Sequence, residues 1–441
     1  MNLNPVVFFH IDEFNRDSIT ASVIKNYLKE QNIKVIYGNR RLSKFFNLKI
    51  SSFFDAAIFP GIDQIDFYFD KKNKNTKLFA LPTESIFTNN VTERSFRWFK
   101  AQLLGTDEEG KLKKKDIGRI DRIYVWGDMH LELLKNEYPK FNEKFKLTGH
   151  PRHDKKVYKK NFIKNNKKIN IGFVSRFDTI NAFDMRTMLE QVLTCKTTGV
   201  EYFHDENTNI EDNFYKDAQD LRLFLEIISL LGNEYSFNIK PHPRENYKNW
   251  ENFIKKYNIP LNICSRETPF THWLADQDLI IAPPSTTFYD CAIMKKNAIC
   301  TRRIVKNREK SLSNNSDDFD PILDFFPNPT SIHQIKKFIE DKTKINFEDE
   351  KLLNLLKKQT NYPNSKESLK ILCEDLSSFL KNKKTNKIKK IFGLIIFEFY
   401  RYSKNFKYLI FRILGIENKE ESASFVMTSS KIKYINKLIE K

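Results

Sequence analysis

Short apolar segments recur along this chain, and polar turns and stretches of helical periodicity separate them. Val6–His10 is a buried strand by length and composition, residues 18–31 have the apolar period of a helix, and residues 34–37 form a second strand. Strand, loop, helix and strand in this order predict a βαβ unit with parallel strands. Further strands are predicted at 55–59, 78–81, 121–126, 145–148, 169–174, 235–240, 261–264, 278–282 and 298–300. The alternation predicts an α/β fold.

The length of the chain, 441 residues, exceeds one typical core, so we expect two domains. A polar, basic segment at 155–168 lacks long apolar periodicity and is the predicted linker. The predicted divisions are a first α/β domain at 1–160, a second at 161–383 and a tail at 384–441.

The formal net charge of +19 favours anionic partners, which include nucleic acid, an anionic membrane surface and phosphorylated substrates. The sequence has no RRM, KH, zinc-finger or helix-turn-helix signature, so we expect no nucleic-acid partner. It also lacks a Walker A loop, a GxGxxG motif and a GxSxG motif, which argues against P-loop ATPases, classical dinucleotide enzymes and serine hydrolases of the nucleophile-elbow type.

The cysteines show neither a disulfide framework nor the spacing of a zinc site, and we predict no metal site. They are Cys195, Cys264, Cys291, Cys300 and Cys373. The N-terminus has no basic region followed by an apolar region and is interpreted as a first strand, not as a signal peptide. No apolar run reaches the roughly 18 residues that a membrane span requires.

Residues 240–246, with the sequence KPHPREN, follow a predicted strand and lead into a helix. The flanking prolines hold the backbone of His242 extended at the end of the strand. Backbone N–H groups at a helix start attract phosphate, so His242 and Arg244 are candidate phosphate ligands and Glu245 is a candidate ribose ligand. The alternative for His242 is a purely structural role.

A second polar turn follows the strand predicted at 278–282. Ser285, Thr286 and Thr287 can cap the next helix, and the same hydroxyl and N–H groups can bind phosphate. Asp290 lies about one turn into that helix, where a carboxylate can accept both ribose hydroxyls or simply lie on the surface. The cations, hydroxyls and carboxylates of the two turns together predict a site for the phosphate and ribose of a nucleotide.

The loop at 175–181, with the sequence SRFDTIN, follows the first strand of the second domain. In open α/β sheets, ligands bind at the carboxyl ends of the strands. Arg176 is therefore a further candidate for phosphate contact, with a surface arginine as the alternative, and Asn181 is a candidate for the substrate cleft.

Two polar turns in the first half supply candidate catalytic groups. Glu108 and Glu109 lie in an acidic turn between glycines, which either is solvated or presents a carboxylate to the cleft. The segment GHPRHD at 149–154 follows a predicted strand and contains His150, Arg152 and Asp154. His150 and Arg152 are candidates for the substrate cleft and Asp154 for catalysis, while a local ion pair between Arg152 and Asp154 is the alternative.

The tail mixes apolar and basic residues between 387 and 416. A basic amphipathic helix of this kind can lie in an anionic headgroup layer. The alternatives are a helix packed on the body of the protein and a helix that binds a partner.

The ordered segments DEEG, WG, TGHPRHD, SRFDTIN and KPHPREN, and the threonine turn after DLIIA, resemble the bacterial surface carbohydrate biosynthesis proteins. These are GT-B glycosyltransferases akin to the transferases of Kdo and other ulosonic acids. The second half also resembles the CDP-glycerol glycerophosphotransferases, which share the Lys-x-His-Pro strand end. The resemblance covers roughly residues 5–305. Asp290 replaces an expected glutamate and His150 an expected asparagine.

The resemblance implies two Rossmann-like domains facing a cleft, with the nucleotide on the second. His242 and Arg244 would neutralise the donor phosphate, and the 285–287 turn would bind it. Glu108 or Glu109 would serve as general base or nucleophile, with Asp154 as the competing candidate. We expect no cofactor and no metal ion, because protein groups would stabilise the departing nucleotide.

The expected function is transfer of a sugar, such as a Kdo-like ulosonic acid, from a CMP- or other nucleotide-activated donor to a lipid-linked glycan of capsule or O-antigen. The protein would lie in the cytoplasm at the inner face of the cytoplasmic membrane, held there by its tail. The alternatives are polyol-phosphate transfer from CDP-glycerol or CDP-ribitol and a non-catalytic scaffold of polysaccharide assembly.

Overall fold

A computed structural model gives the architecture of the chain. It describes residues 4–11, 14–38, 54–62, 75–82, 114–158, 168–183, 185, 187–191, 210–308, 321–341, 344–381 and scattered positions between 391 and 413.

The first domain is built on a parallel sheet of six strands in the order β2-β1-β3-β4-β5-β6. The strands are β1 (Val6–His10), β2 (Lys34–Gly38), β3 (Ala56–Phe59), β4 (Lys77–Ala80), β5 (Arg122–Val125) and β6 (Phe145–Leu147). Val6 and Phe8 pack into one core and Val7 and Phe9 into another, because successive residues of a strand point to opposite faces. Both faces of this sheet are therefore covered.

The second domain is built on a parallel sheet of five strands in the order β11-β10-β7-β8-β9. The strands are β7 (Asn170–Val174), β8 (Ser236–Lys240), β9 (Leu261–Ile263), β10 (Leu279–Ala282) and β11 (Asn297–Cys300). The chain runs outward from β7 to β8 and β9 and then returns to the other side of β7 with β10. This reversal makes the edge beside β7 the topological switch point, where doubly wound sheets bind ligands.

The helices connect and cover the two sheets. They are α1 (Phe14–Glu30), α2 (Asp128–Glu137), α3 (Ile210–Leu231), α4 (Tyr247–Tyr257), α5 (Phe270–Ala275), α6 (Thr287–Ile293), α7 (Arg302–Arg308), α8 (Ile332–Glu340), α9 (Glu350–Thr360) and α10 (Ser368–Leu380). The α4 helix begins after Asn246, whose side chain accepts a hydrogen bond from the Asn249 N–H, and ends at Asn258 in the left-handed conformation. The strand and helix pattern predicted from the sequence is confirmed within these ranges.

The last two helices return to the first domain. Helix α9 packs on α2, and α10 packs on α1, where Leu369, Leu372 and Leu376 enter the core of the first sheet. The segment before α10 passes over Gly149, which follows β6. Gly149 has φ +91°, and a Cβ there would lie 2.4 Å from the Ser365 Cβ, so the close approach of the two segments requires a glycine. The division of the sequence at 161–383 assigned α10 to the second domain, whereas its packing places it on the first.

The tail is helical at its described positions between 391 and 413, and Leu394 packs against the core of the first domain. Among the described helices, none is both long and apolar enough to cross a bilayer.

Candidate functional site

Three loops of the second domain follow neighbouring strands that end at the same level. Val174 of β7 pairs with Lys240 of β8, and Phe173 pairs with Ile281 of β10. Adjacent strands lie about 4.8 Å apart, so the loops after β8 and β10 start about 10 Å from each other, on either side of the β7 loop. The segments 175–181, 241–246 and 283–287 thus form one edge at the switch point.

Glu245 connects the 175–181 loop to the 241–246 turn from inside the protein. It is fully buried, and its Oε1 accepts hydrogen bonds from the Ser175 hydroxyl (2.8 Å), the Phe177 N–H (3.0 Å) and the His242 N–H (3.1 Å). Its Oε2 accepts from the Trp250 indole N–H at 2.7 Å. Burial raises the pKa of Glu245 to about 7, against the opposing effect of these hydrogen bonds. The ribose role predicted for Glu245 is therefore wrong, because its carboxylate is buried and bonded to the protein.

The turn at 241–246 presents Arg244 outward while other groups hold its backbone. His242 is half-buried and its Nδ1 accepts from the Arg244 N–H at 3.4 Å, while Arg244 is exposed. The Tyr247 hydroxyl donates to the Pro241 carbonyl at 3.1 Å, and Arg266 donates to the Pro243 carbonyl at 2.9 Å. The turn is thereby fixed with Arg244 facing solvent.

Lys240, directly before the turn, does not belong to this exposed set. Its Nζ is buried and donates to the carbonyls of Ser265 (3.0 Å) and Thr268 (2.8 Å). Burial lowers the pKa of Lys240. Its contacts tie β8 to the loop after β9.

The β7 loop presents Arg176 between two anchored neighbours. Arg176 is exposed, whereas Ser175 and Phe177 on either side are buried and bonded to Glu245. Asn181 uses its amide N–H to bond the Asn246 carbonyl at 3.2 Å, so it connects the two loops. Asn181 is therefore a structural tie, while Arg176 points its charge to the solvent at the switch point.

The turn after β10 is internally bonded. The Ser285 hydroxyl donates to the Thr287 hydroxyl at 3.0 Å and accepts from the Thr287 N–H at 3.1 Å. Ser285 and Thr286 are half-buried and Thr287 is buried. Ser285 and Thr286 are thus the members of this turn that remain accessible at the edge.

Asp290 lies inside the junction between the domains, not in a ribose pocket. Its Oδ1 lies 3.1 Å from the Arg152 Nε and 3.6 Å from the His153 Nε2, and the Asp290 side chain is only 1% exposed. Among the described residues, none makes a well-aligned hydrogen bond to either oxygen. Burial lowers the pKa of His153, against the pull of the neighbouring Asp290. The structure corrects the ribose role of Asp290 and the cleft role of Arg152, because the two side chains form a charge pair between the domains.

His150 is also buried in this junction. Its ring packs against Trp126 with 4.1 Å between centroids and against His153 with 4.8 Å. Its Nδ1 accepts from the Arg152 N–H, and its carbonyl accepts from the Ser368 hydroxyl. The predicted cleft role of His150 is therefore wrong, because no part of this ring is presented to a substrate.

Asp154 caps two backbone segments. It is fully buried, and its two oxygens accept hydrogen bonds from the Lys156 N–H and the Leu369 N–H, both at 2.9 Å. Burial raises the pKa of Asp154. The structure overturns its candidacy for catalysis, because this carboxylate faces α10 and not the edge of the second sheet. Glu108 and Glu109 lie outside the described residues.

Three partners in this architecture were missed from the sequence. Ser175 and Trp250 bond Glu245, and His153 shares Asp290 with Arg152. The only signal was proximity in sequence, since Ser175 stands next to Arg176 and His153 next to Arg152. The described residues contain no group of three or more His, Cys, Asp or Glu side chains that could hold a metal ion.

Grooves of about 500 Å³ occur elsewhere in the described part of the chain. One lies between α3 and α4 and is lined by Ile228, Phe253 and Tyr257. The other lies between Lys146 and Asn361, at the crossing to α10. Neither includes a residue of the three strand-end loops.

No family model matches the chain, and no curated protein sequence matches it. Among solved structures, a variant of the wall teichoic acid polymerase TagF is similar over 87% of this chain and 91% of its own, at 12% identity and a TM-score of 0.50. UDP-GlcNAc 2-epimerase of Methanocaldococcus jannaschii is similar over 85% and 99%, at 13% identity and 0.47. MnaA of S. aureus in complex with UDP covers 87% and 99%, at 11% identity and 0.44.

The likeness to TagF extends over both domains and shows a shared fold. Together with the two parallel sheets and the return of the C-terminal helices to the first domain, it shows that the chain is an α/β protein of the GT-B type. The fold class that the sequence motifs implied is confirmed.

Proposed function

We propose that the protein is a glycosyltransferase of surface polysaccharide biosynthesis that uses a nucleotide-activated donor. The observation that carries the proposal is the switch-point edge of the second domain. There, exposed Arg176 and Arg244 and half-buried His242 follow neighbouring strands that end level with each other. Cations clustered at this position of a doubly wound sheet suit a phosphate group.

In this proposal the edge stabilises the departing nucleotide. Arg244, Arg176 and His242 donate to the phosphate oxygens, and the Thr286 hydroxyl adds a neutral donor from the other side of β7. The Ser285 hydroxyl joins it by turning from Thr287 to the phosphate. Charge that develops on the leaving phosphate during transfer is thereby met by fixed positive groups, so that no metal ion is required for this step. The first domain would supply the carboxylate that acts at the anomeric carbon, and Glu108 and Glu109 remain the candidates for it.

A panel of activated donors tests the proposal. Purified protein is assayed for binding and hydrolysis of CMP-, CDP- and UDP-linked sugars, beside His242→Ala and the matched control His333→Ala, which removes an exposed imidazole on α8. We expect a cytidine-linked donor to be bound and slowly hydrolysed, and His242→Ala alone to weaken both. If no donor is bound, or if the two alanine variants behave alike, the site assignment is refuted.

Polyol-phosphate transfer is the second candidate, and the likeness to a wall teichoic acid polymerase favours it. The edge described above would serve this chemistry equally, because the donor again carries the phosphate of a cytidine nucleotide. The same panel extended with CDP-glycerol and CDP-ribitol separates the two, since a polyol-phosphate transferase turns over those donors and not the CMP-linked sugars. A scaffold would turn over none of them.

We further propose that the acceptor is lipid-linked and that the tail holds the protein on the cytoplasmic face of an anionic membrane. Large apolar side chains spaced three or four residues apart are exposed along one helical face, between 38% and 76% of each side chain. They are Ile391, Ile395, Phe399, Tyr402, Phe406, Ile410 and Ile413. Residues 381–413 contain ten lysines and arginines and a single glutamate. An apolar stripe in a basic helix suits an interface of acyl chains and anionic headgroups.

Vesicle sedimentation tests the tail. We expect the protein to bind phosphatidylglycerol vesicles, to release from them at high salt, and to bind phosphatidylcholine vesicles weakly. Phe399→Ser with Phe406→Ser should reduce binding, whereas Tyr257→Ser, which removes an exposed aromatic on α4, should not. Equal binding by both variants would show that this face does not contact lipid.

A further inference from the structure

Glu245 is shared between the two loops that carry the proposed phosphate ligands. It takes donors from the β7 loop through Ser175 and Phe177, from the β8 turn through the His242 N–H, and from α4 through Trp250. Arg176 lies between the two residues bonded on the first loop. A single buried carboxylate thus sets the relative position of Arg176 and His242.

The contacts of Glu245 match an ionised carboxylate. All four groups that point at it are donors, and an ionised carboxylate only accepts, whereas a protonated one carries an O–H that must displace a donor. The titratable and charged groups around it are His242, Arg244 and Tyr247 on the β8 side and Arg176 on the β7 side. Tyr247 is itself sensitive to Glu245, because burial first and then neighbouring charges, Glu245 among them, raise its pKa.

We propose that Glu245 is a positioning residue whose ionised carboxylate holds the β7 and β8 loops in the arrangement that binds nucleotide phosphate, so that protonation of this one group weakens donor binding. The proposal rests on the proposed function, because it concerns the same phosphate site. The transition falls near neutrality, since burial raises the pKa of Glu245 to about 7.

Calorimetric titration of CDP between pH 5.5 and 8.5 tests the inference in the full-length protein. The quantity compared is the ratio of Kd in Glu245→Gln to Kd in the wild type, because titration of the nucleotide phosphate affects both proteins. We expect a ratio of about 10 at pH 8.5, from the loss of charged hydrogen bonds, that falls toward 1 at pH 5.5. The control Glu251→Gln removes an exposed carboxylate of the following helix, α4, and should leave a ratio of 1 throughout. Glu245→Asp, which keeps the charge, should restore part of the affinity.

Amide exchange separates this inference from the nucleotide assignment. Without any ligand, the Phe177 and His242 amides should be less protected in Glu245→Gln than in the wild type at pH 8, after correction for intrinsic exchange, and equally protected in Glu251→Gln. If the amides respond in this way but CDP does not bind, the positioning role stands and the proposed function is wrong. If CDP binds with a ratio that does not change with pH, or if both amides stay protected in Glu245→Gln, the positioning role is refuted.

Discussion

The charge pair between Asp290 and Arg152 gives a quantitative prediction about how the two domains are held together. Asp290→Asn removes the negative charge and leaves Arg152, 18% exposed, beside a neutral group inside the junction. Breaking a buried ion pair by removing one partner costs about 3–5 kcal/mol, and the partial exposure of Arg152 points to the lower end of this range. We therefore expect a loss of about 3 kcal/mol in the free energy of unfolding, or about 1 M in the urea midpoint.

The assay is urea unfolding followed by tryptophan fluorescence, which reports on the junction because Trp126 of the first domain and Trp273 of the second pack in one core. A double-mutant cycle with Arg152→Met should give a coupling of about 1–3 kcal/mol, because the double variant leaves no unpaired charge. The control is the exposed pair of Arg222 and Glu226, also at short range (2.9 Å), where Glu226→Gln should cost no more than about 0.5 kcal/mol. Equal losses in the two pairs, or strict additivity in the cycle, would refute the role of Asp290 in the junction.

Three further predictions concern buried carboxylates and metal dependence. Asp154→Ala should lower the free energy of unfolding by about 2 kcal/mol, because the amides of Lys156 and Leu369 lose their acceptor. Activity per folded molecule should not change. A loss of turnover without a loss of stability would instead support a catalytic role for Asp154. Burial raises the pKa of Glu245 from 4.5 to about 7 and that of Asp217 from 3.8 to about 6. Each therefore contributes stability that is present below the unfolded pKa and is lost as the pH rises through the folded pKa. For Glu245 this amounts to about 3 kcal/mol between pH 4.5 and 7, and urea midpoints should show a flatter profile in Glu245→Gln. Donor hydrolysis should proceed unchanged in EDTA, and a rate restored only by added divalent ions would refute phosphate stabilisation by protein groups alone.

The strands and their order along the chain could be predicted from the sequence because each buried strand is a short, nearly continuous apolar run. The loops that matter follow directly from this, since parallel strands bring their carboxyl ends to one edge. Val6–His10 and Leu279–Ala282 are of this kind. The position of His242, Arg244 and Arg176 on that edge was therefore accessible from the sequence.

The sequence did not allow us to predict in which direction each of these side chains points. Arg244 and Glu245 are neighbours in a turn, yet one is exposed and the other buried, because Glu245 meets Ser175 seventy residues earlier and Trp250 on the following helix. The same holds for Asp290, whose partner Arg152 belongs to the other domain. Contacts between residues so far apart in the chain leave no local periodicity in the sequence.

The sequence also could not show which domain the last helix, α10, packs on. Residues 368–380 have an apolar face that suits either sheet, and the sequence does not say which one it covers. Leu372 and Leu376 pack in one core with α1, and just before them Ser365 lies against Gly149 of the first domain. The division between the domains is therefore a property of the tertiary structure.

A structure of the protein with bound CDP would show whether the carboxyl ends of β7, β8 and β10 bind the phosphates of an activated nucleotide. We expect the diphosphate between the β7 loop and the 285–287 turn, with phosphate oxygens within hydrogen-bond distance of His242 or Arg244 and of Ser285 or Thr286. A diphosphate bound elsewhere, such as in the groove between α3 and α4, would contradict this expectation.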